Sequence, residues 1–241
     1  MKKLLASDYD NTLKNQGVVS KEDMKAIEKW RENGNLFVVV TGRFEKPEEL
    51  LIPIDACICC SGNKVVLDDR NEYVYFGSNA ELAGLAKECV KHESTDNVFN
   101  ICTPNGNFRF GFADLVKNDF SQLGDIPEFL QVSLLFDNDV DCEKVCESIR
   151  ENVDGLNVLQ NGRCVDVLPQ KMNKAVGIRD FADKRGIEEK NIITVGDAMN
   201  DYDMLKSYNG YVIEHGHPEL IRAIGQTTKS VARLISVYNK K

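Results

Sequence analysis

Residues 4–12 read LLASDYDNT: a short apolar strand (Leu4–Ser7), then Asp8 and Asp10 two positions apart, with Thr12 behind them. A strand end needs a turn, and one acid is enough for solubility, so the doubled acid calls for a chemical reason. Outward from it the same grammar recurs. LFVVV (residues 36–40) is too continuously apolar for a half-exposed strand and reads as one covered on both faces; Thr41-Gly42-Arg43 follows it. IITV (residues 192–195) is followed by GDAMND, Gly196 to Asp201. Helices lie between. SKEDMKAIEKWRENG carries Ser20 as N-cap, Asp23 at the capping-box position and Gly34 past its end, and a helix from about Lys174 to Lys184 stops at Gly186. Doubly covered strands alternating with helices predict an α/β fold with a parallel sheet between helix layers.

The middle of the chain follows another pattern. DACICC (residues 55–60) reads as a third covered strand, and KVVLDDRNEYVYF as a hairpin turning at Asp69 to Asn71. From about Ala80 come a helix (Glu81 to Lys91), paired strands around Asn105-Gly106, a short helical stretch, the strand LQVSLLF, the helix CEKVCESIREN and paired strands around Asn161-Gly162. Paired strands with helices between them predict an antiparallel sheet with helices on one face. The first grammar resumes after Pro169 and ends in a helix carrying Val231, Leu234, Ile235 and Tyr238 on one face. The expectation is a discontinuous core, residues 1–78 and 169–241, interrupted by an inserted α+β domain, residues 79–168.

With 241 residues and 42% apolar content the chain can bury a sizeable core. A net charge of −8 without Lys/Arg clusters argues against binding nucleic acid or anionic membranes, so any phosphate must be held locally. No apolar run reaches the roughly 20 residues that span a bilayer, and the start is not that of a signal peptide; a cytoplasmic protein is expected. The eight cysteines lack paired CxxC spacing and mostly sit in apolar runs, as buried free thiols do. His215 and His217 flank Gly216 just before Pro218, which suits the first turn of a helix, and His92 lies at a polar helix end, so loop or capping roles are expected.

In a parallel sheet, ligands bind beyond the carboxyl ends of the strands, so the three polar clusters should converge in one crevice. The chemistry that fits is phosphoryl transfer through an aspartyl phosphate. Asp8 is the candidate nucleophile, since a carboxylate needs no base to activate it. A phosphate approaching it to 4 Å meets repulsion of roughly 4 kcal/mol per pair of unit charges at an effective dielectric of 20, so cations are required. Asp8 and Asp197 offer the oxygen ligands that Mg2+ prefers, the Asp10 carbonyl can add a third, and Asp201 would orient them. The Asp10 side chain would protonate the leaving alcohol and later deprotonate the attacking water. Thr41 and Gly42 can hydrogen-bond phosphate oxygens. Lys174, at the start of its helix, is the chosen cation against Asp8, although spacing alone does not separate it from Lys171.

Taken together, these residues resemble the haloacid dehalogenase superfamily of phosphatases, and within it the Cof-type sugar phosphatases. Asp8, Asp10 and Thr12 are similar to its DxDxT motif, Thr41 to Arg43 to its TGR, and Gly196, Asp197, Asn200 and Asp201 to its GDxxND. Its lysine opening a helix falls on Lys174 and favours that residue over Lys171. The resemblance implies a Rossmann-like parallel-sheet core with an inserted α+β cap that chooses the leaving group, magnesium as cofactor and a small phosphorylated metabolite as substrate. It makes Thr12, Asn200 and Asp201 supporting residues. Arg43, and on the inserted strands Arg109 and Arg163, are candidates for facing the substrate. In four places this sequence departs from the pattern: Asn11 stands where glycine is usual, Tyr9 is bulkier than the usual Leu or Met, Ser61-Gly62-Asn63 stands where Asn-Gly-Ala is common, and the last stretch lacks the usual glycine-containing motif.

Two other readings are a phosphomutase of the same superfamily, which passes the phosphate to a sugar and not to water, and a catalytically inactive protein that only binds a phosphorylated ligand. Against the second, every candidate catalytic position is filled. A two-component receiver domain shares the residue types, but it has no late GDAMND cluster and no insertion.

Overall fold

The structure, a computed structural model, describes residues 2–92, 98–136 and 139–239. Its contacts divide the chain into two compact units, residues 1–72 with 173–241, and residues 73–172. These borders differ from the expected ones by a few residues, and local pairing explains why. The short strand Gly77–Ser78 pairs antiparallel with Glu128–Phe129, and Ser78 caps the helix Asn79–Cys89, so this stretch folds with the second unit. At the other border the Asn157 side chain donates to the Met172 carbonyl (2.7 Å).

In the first unit an eight-stranded sheet runs in the order Thr227–Thr228, Asn209–Ile213, Ile192–Gly196, Leu4–Asp8, Leu36–Val40, Ala56–Cys59, Lys64–Val66, Asn71–Tyr73. The first six are parallel, and Lys64–Val66 turns back antiparallel to Ala56–Cys59. Continuous apolarity follows from burial on both faces. Leu4, Ala6, Val38, Val40 and Ile58 feed one core with Ile178, Phe181 and Met204, whereas Leu5, Phe37, Val39 and Cys57 feed another with Ile27, Trp30 and Leu234. The helix Lys21–Glu32 starts as expected: the Ser20 hydroxyl accepts from the Asp23 amide (3.0 Å). Asp23 is buried with both carboxylate oxygens satisfied: Oδ2 accepts the Ser20 hydroxyl (2.6 Å) and Oδ1 accepts the Ala232 amide (2.7 Å), tying this helix to Val231–Tyr238. No described helix is long and apolar enough to cross a membrane.

The second unit holds a five-stranded antiparallel sheet, ordered Gly106–Gly111, Val98–Thr103, Gln131–Leu135, Cys164–Pro169, Leu156–Asn161. Its apolar residues, Phe99, Ile101, Val132, Leu134, Val165 and Val167, share a core with Leu82 and Leu85 of the helix Asn79–Cys89 and with Cys142, Val145 and Ile149 of the helix Asp139–Asn152. The cysteines are free thiols, all buried but Cys164, and burial pushes the Cys146 and Cys164 thiols up to about 12, far from reactivity at neutral pH.

Candidate active site

The strand Leu4–Asp8 lies between Leu36–Val40 and Ile192–Gly196, all parallel, so the three polar clusters emerge side by side at one end of the sheet. Chain order reverses here: successive strands go one way from Leu4–Asp8, and the later ones are added on its other side. That is the switch point where open α/β sheets bind ligands.

Asp8 ends the central strand and is buried. The chain then turns sharply. Asn11 has φ 59°, its amide donates to the Lys14 carbonyl (2.9 Å), and the Lys14 amide donates to the Tyr9 carbonyl (2.8 Å). Asparagine tolerates this left-handed conformation, so the turn survives without the usual glycine. The turn brings the Thr12 hydroxyl to donate to Asp197 Oδ1 (2.9 Å).

Lys174 opens the helix Lys174–Asp183 behind its cap Asn173, whose side chain accepts the Val176 amide (3.0 Å). Its ammonium is 1% exposed and donates to Asp8 Oδ1 (2.6 Å) and Asp201 Oδ1 (2.5 Å). Two glycines bring the helix this close. A Cβ on Gly177 would sit 2.2 Å from the Gly62 carbonyl oxygen, and one on Gly62 would sit 2.3 Å from that of Asn173. The helix therefore packs directly against the Cys60–Gly62 turn after the strand Ala56–Cys59. That turn also holds the neighbouring loop: the Ser61 amide donates to the Thr41 carbonyl (3.0 Å) and the Cys60 amide to the Arg43 carbonyl (2.9 Å).

The last cluster is built around Asp201, which is fully buried. Its Oδ2 accepts the amides of Asp197 (2.9 Å) and Ala198 (3.1 Å). Gly196 is obligatory for this contact, because a Cβ there would lie 2.5 Å from Asp201 Oδ2. Asn200 is half-buried in the same turn, one residue before Asp201.

Oxygens of Asp8, Asp197 and Asp201 lie within 4.8 Å of one another. Three carboxylates face one ammonium. Burial drives the Asp8 carboxyl well above the usual range; Lys174 opposes this, and the charges of Asp201 and Asp197 add to it. Burial, then Asp201, likewise raises Asp197. For Lys174, burial pulls down but the two carboxylates outweigh it, so it stays protonated at neutral pH. The cluster is short of positive charge by an amount one divalent cation would supply. Asp201 spends both oxygens on protein donors, which leaves Asp8 and Asp197 as the carboxylates suited to hold the cation.

Thr41 is buried, and its Oγ1 accepts the Arg43 amide (3.2 Å); Gly42 is half-buried beside it. Arg43 was expected to face the substrate, yet its guanidinium is engaged within the protein. Nε and Nη2 donate to the two oxygens of Asp10 (2.9 and 2.7 Å), and Nη1 donates to Glu49 (3.1 Å). Lys14 donates to the same Glu49 oxygen (2.7 Å), and these donors lower the Glu49 carboxyl to about 2. Glu49 lies in the run KPEELL, where nothing in the sequence separates it from Glu48.

Arg109 is exposed on the strand Gly106–Gly111 of the second unit, and Arg163 is exposed in the turn between Leu156–Asn161 and Cys164–Pro169, not on a strand. His217 caps the helix Pro218–Ile224, its Nδ1 accepting the Glu219 amide (3.3 Å), with Pro218 in the first turn as expected. His215, expected in a loop or capping role, has its Nε2 2.9 Å from the Asn11 carbonyl oxygen, against the turn of the first motif.

A chain from Mycoplasma capricolum subsp. capricolum of no stated function is 24% identical over 92% of this chain and 94% of its own length. The 5-amino-6-(5-phospho-D-ribitylamino)uracil phosphatase of Bacillus subtilis is 24% identical over 85% of this chain and 80% of its own. Among solved structures, a haloalkanoate dehalogenase superfamily phosphatase from Bacteroides thetaiotaomicron superposes with a TM-score of 0.80 at 21% identity, covering 100% of this chain and 95% of its own. A subclass IIB sugar phosphatase gives 0.80 at 17% identity, covering 99% and 98%. These superpositions establish the fold. The profile of the haloacid dehalogenase-like hydrolases matches residues 5–239, nearly the whole chain, and the chain belongs to that family.

Proposed function

We propose that this protein is a magnesium-dependent phosphatase that hydrolyses small phosphomonoesters, sugar phosphates among them, through a phosphorylated Asp8. The observation that carries the reading is the Lys174 ammonium held between Asp8 and Asp201 within a cluster of three carboxylates at the sheet's switch point. Bound by Asp8 and Asp197, magnesium would neutralise the incoming phosphate and polarise its oxygens. Lys174 holds Asp8 in place and adds a second positive charge. The Thr41 hydroxyl accepts from the Arg43 amide and so keeps its own proton for a phosphate oxygen.

In the first half-reaction an Asp8 carboxylate oxygen attacks phosphorus, the bond to the leaving oxygen breaks, and that oxygen takes a proton from the Asp10 carboxyl. In the second, water attacks phosphorus as Asp10 takes its proton, the bond to Asp8 breaks, and phosphate leaves. The inserted unit is proposed to select the leaving group, with Arg109 and Arg163 as candidate contacts, because the core residues recognise only phosphate and metal. A relative named as a ribitylaminouracil phosphatase and a structural neighbour named as a sugar phosphatase support a polyol or sugar leaving group.

Hydrolysis of a panel of phosphorylated metabolites, measured with magnesium and then with excess chelator, tests the metal dependence. Equal rates in both would end the reading. Acid quench with mass spectrometry should find phosphate on the peptide containing Asp8 in the wild type and none in Asp8→Asn. A phosphomutase would instead show sugar bisphosphate formation from the phosphoenzyme in place of phosphate release.

A further inference from the structure

Asp10, the residue to which the reading above gives proton transfer, is held by both of its oxygens. Arg43 reaches them with two parallel N–H donors, a geometry that fixes the plane and the direction of a carboxylate. The guanidinium is itself fixed from two sides. Glu49 accepts its third nitrogen and is anchored in turn by Lys14, and the Tyr9 ring lies beneath, its centroid 5.2 Å from the guanidinium carbon and 5.6 Å from the Lys14 ammonium. The side chains of Arg43 and Asp10 are 38% and 47% exposed, and an ion pair so open to water adds little stability. The value of the pair is therefore orientation. Tyr9 points the same way: it is fully buried, yet its hydroxyl has no hydrogen-bond partner among the described residues, a cost that Leu would not carry. What Tyr offers over Leu is a ring face under two cations.

We infer that Arg43, seated on the Tyr9 ring and tied through Glu49 to Lys14, is a positioning residue that aims the Asp10 carboxylate for proton transfer, and is not a substrate contact. The inference rests on the proposed phosphatase reading and assigns a task to four residues of this chain, one of which, Tyr9, directly precedes the acid in sequence. In this role Arg43 needs to touch neither the phosphorus nor the leaving oxygen. It acts only through where Asp10 is held when the proton passes between its carboxyl and the leaving oxygen.

The test compares an alkyl ester, glycerol 2-phosphate, with 4-nitrophenyl phosphate, whose leaving group departs without a proton. Misplacing a catalytic group costs on the order of 100-fold, so Arg43→Ala should lower kcat for the alkyl ester about that much while KM stays within about threefold. With the aryl ester the variant should keep a rapid burst of nitrophenol and lose only the later release of phosphate. Arg43→Lys, which offers a single point charge and no fork, should recover only a small part of the alkyl turnover. Tyr9→Leu should show the same leaving-group pattern in weaker form.

Three results would overturn the inference: a raised KM with kcat intact, which marks a substrate contact; equal losses of burst and alkyl turnover, which mark general damage to the fold; or unchanged alkyl turnover in Arg43→Ala. Failure of the parent reading looks different, because then the wild type itself hydrolyses neither ester and carries no phosphate on Asp8.

Discussion

Replacing Lys174 by methionine keeps most of the side-chain volume and removes the charge that holds the cluster together. The ammonium is 2.6 Å from Asp8 and 2.5 Å from Asp201. At an effective dielectric of 20 each contact is worth roughly 6 to 7 kcal/mol before desolvation is subtracted. Breaking such a buried pair by deleting one partner costs about 3–5 kcal/mol net, because the carboxylates stay behind without compensation. Against a total stability of about 5–15 kcal/mol that is a large loss, and urea unfolding at pH 7.5 in chelator should show it as a clear fall in midpoint. The pH dependence gives a second, sharper reading. Burial and mutual repulsion raise the Asp8 and Asp197 carboxyls, so the folded protein binds their protons more readily than the unfolded chain does. Their contribution to stability is full below the unfolded value of about 4 and is lost as pH rises through the raised folded values. Without Lys174 the raising is stronger. The gap between variant and wild type should therefore widen from pH 5 to pH 8 in chelator, and magnesium should narrow it. A gap that stays constant across that range, or a midpoint that does not move at all, would refute the electrostatic account of this cluster.

Asp10→Ala should lose roughly 100-fold to 10,000-fold in turnover of alkyl phosphates, the range general acid–base catalysis supplies, while stopped-flow mixing with 4-nitrophenyl phosphate still shows a nitrophenol burst near one equivalent. Wild-type turnover of an alkyl ester by this variant would remove Asp10 from the mechanism. Gly177→Ala places a methyl 2.2 Å from the Gly62 backbone, so the helix must move away and carry Lys174 with it. A loss of about 1–3 kcal/mol in urea unfolding, with reduced phosphoenzyme formation, is expected, whereas Gly186→Ala, at a helix end with open space around it, should leave phosphoenzyme formation intact.

Much of the first unit is legible in the sequence because one physical cause acts on several levels at once. A strand buried on both faces must be apolar throughout, so Leu36–Val40 announces its own environment, and the polar residues that follow must be where the sheet meets the crevice. The Ser20 cap and the Asn-Gly turns are equally local, since their signal and their structure occupy the same few residues. The border of the inserted unit is less legible. Whether Gly77–Ser78 pairs with Glu128–Phe129 depends on residues some fifty positions away, and neither stretch carries a pattern of its own.

The supports of the site are hidden for a related reason. Lys174 reaches Asp8 only because two glycines far apart in the chain let a helix and a turn touch, and an isolated glycine in a helical stretch reads from sequence as a weak point and not as a contact. Arg43 shows the converse. A strand-ending arginine beside a phosphate motif is the residue type expected to face a substrate, and nothing in its own stretch announces that Tyr9 lies beneath it, that Glu49 accepts one of its nitrogens and that Asp10 accepts the other two. Sequence motifs record which groups do the chemistry. What aims those groups is set by contacts between segments, and residue type alone does not name those contacts.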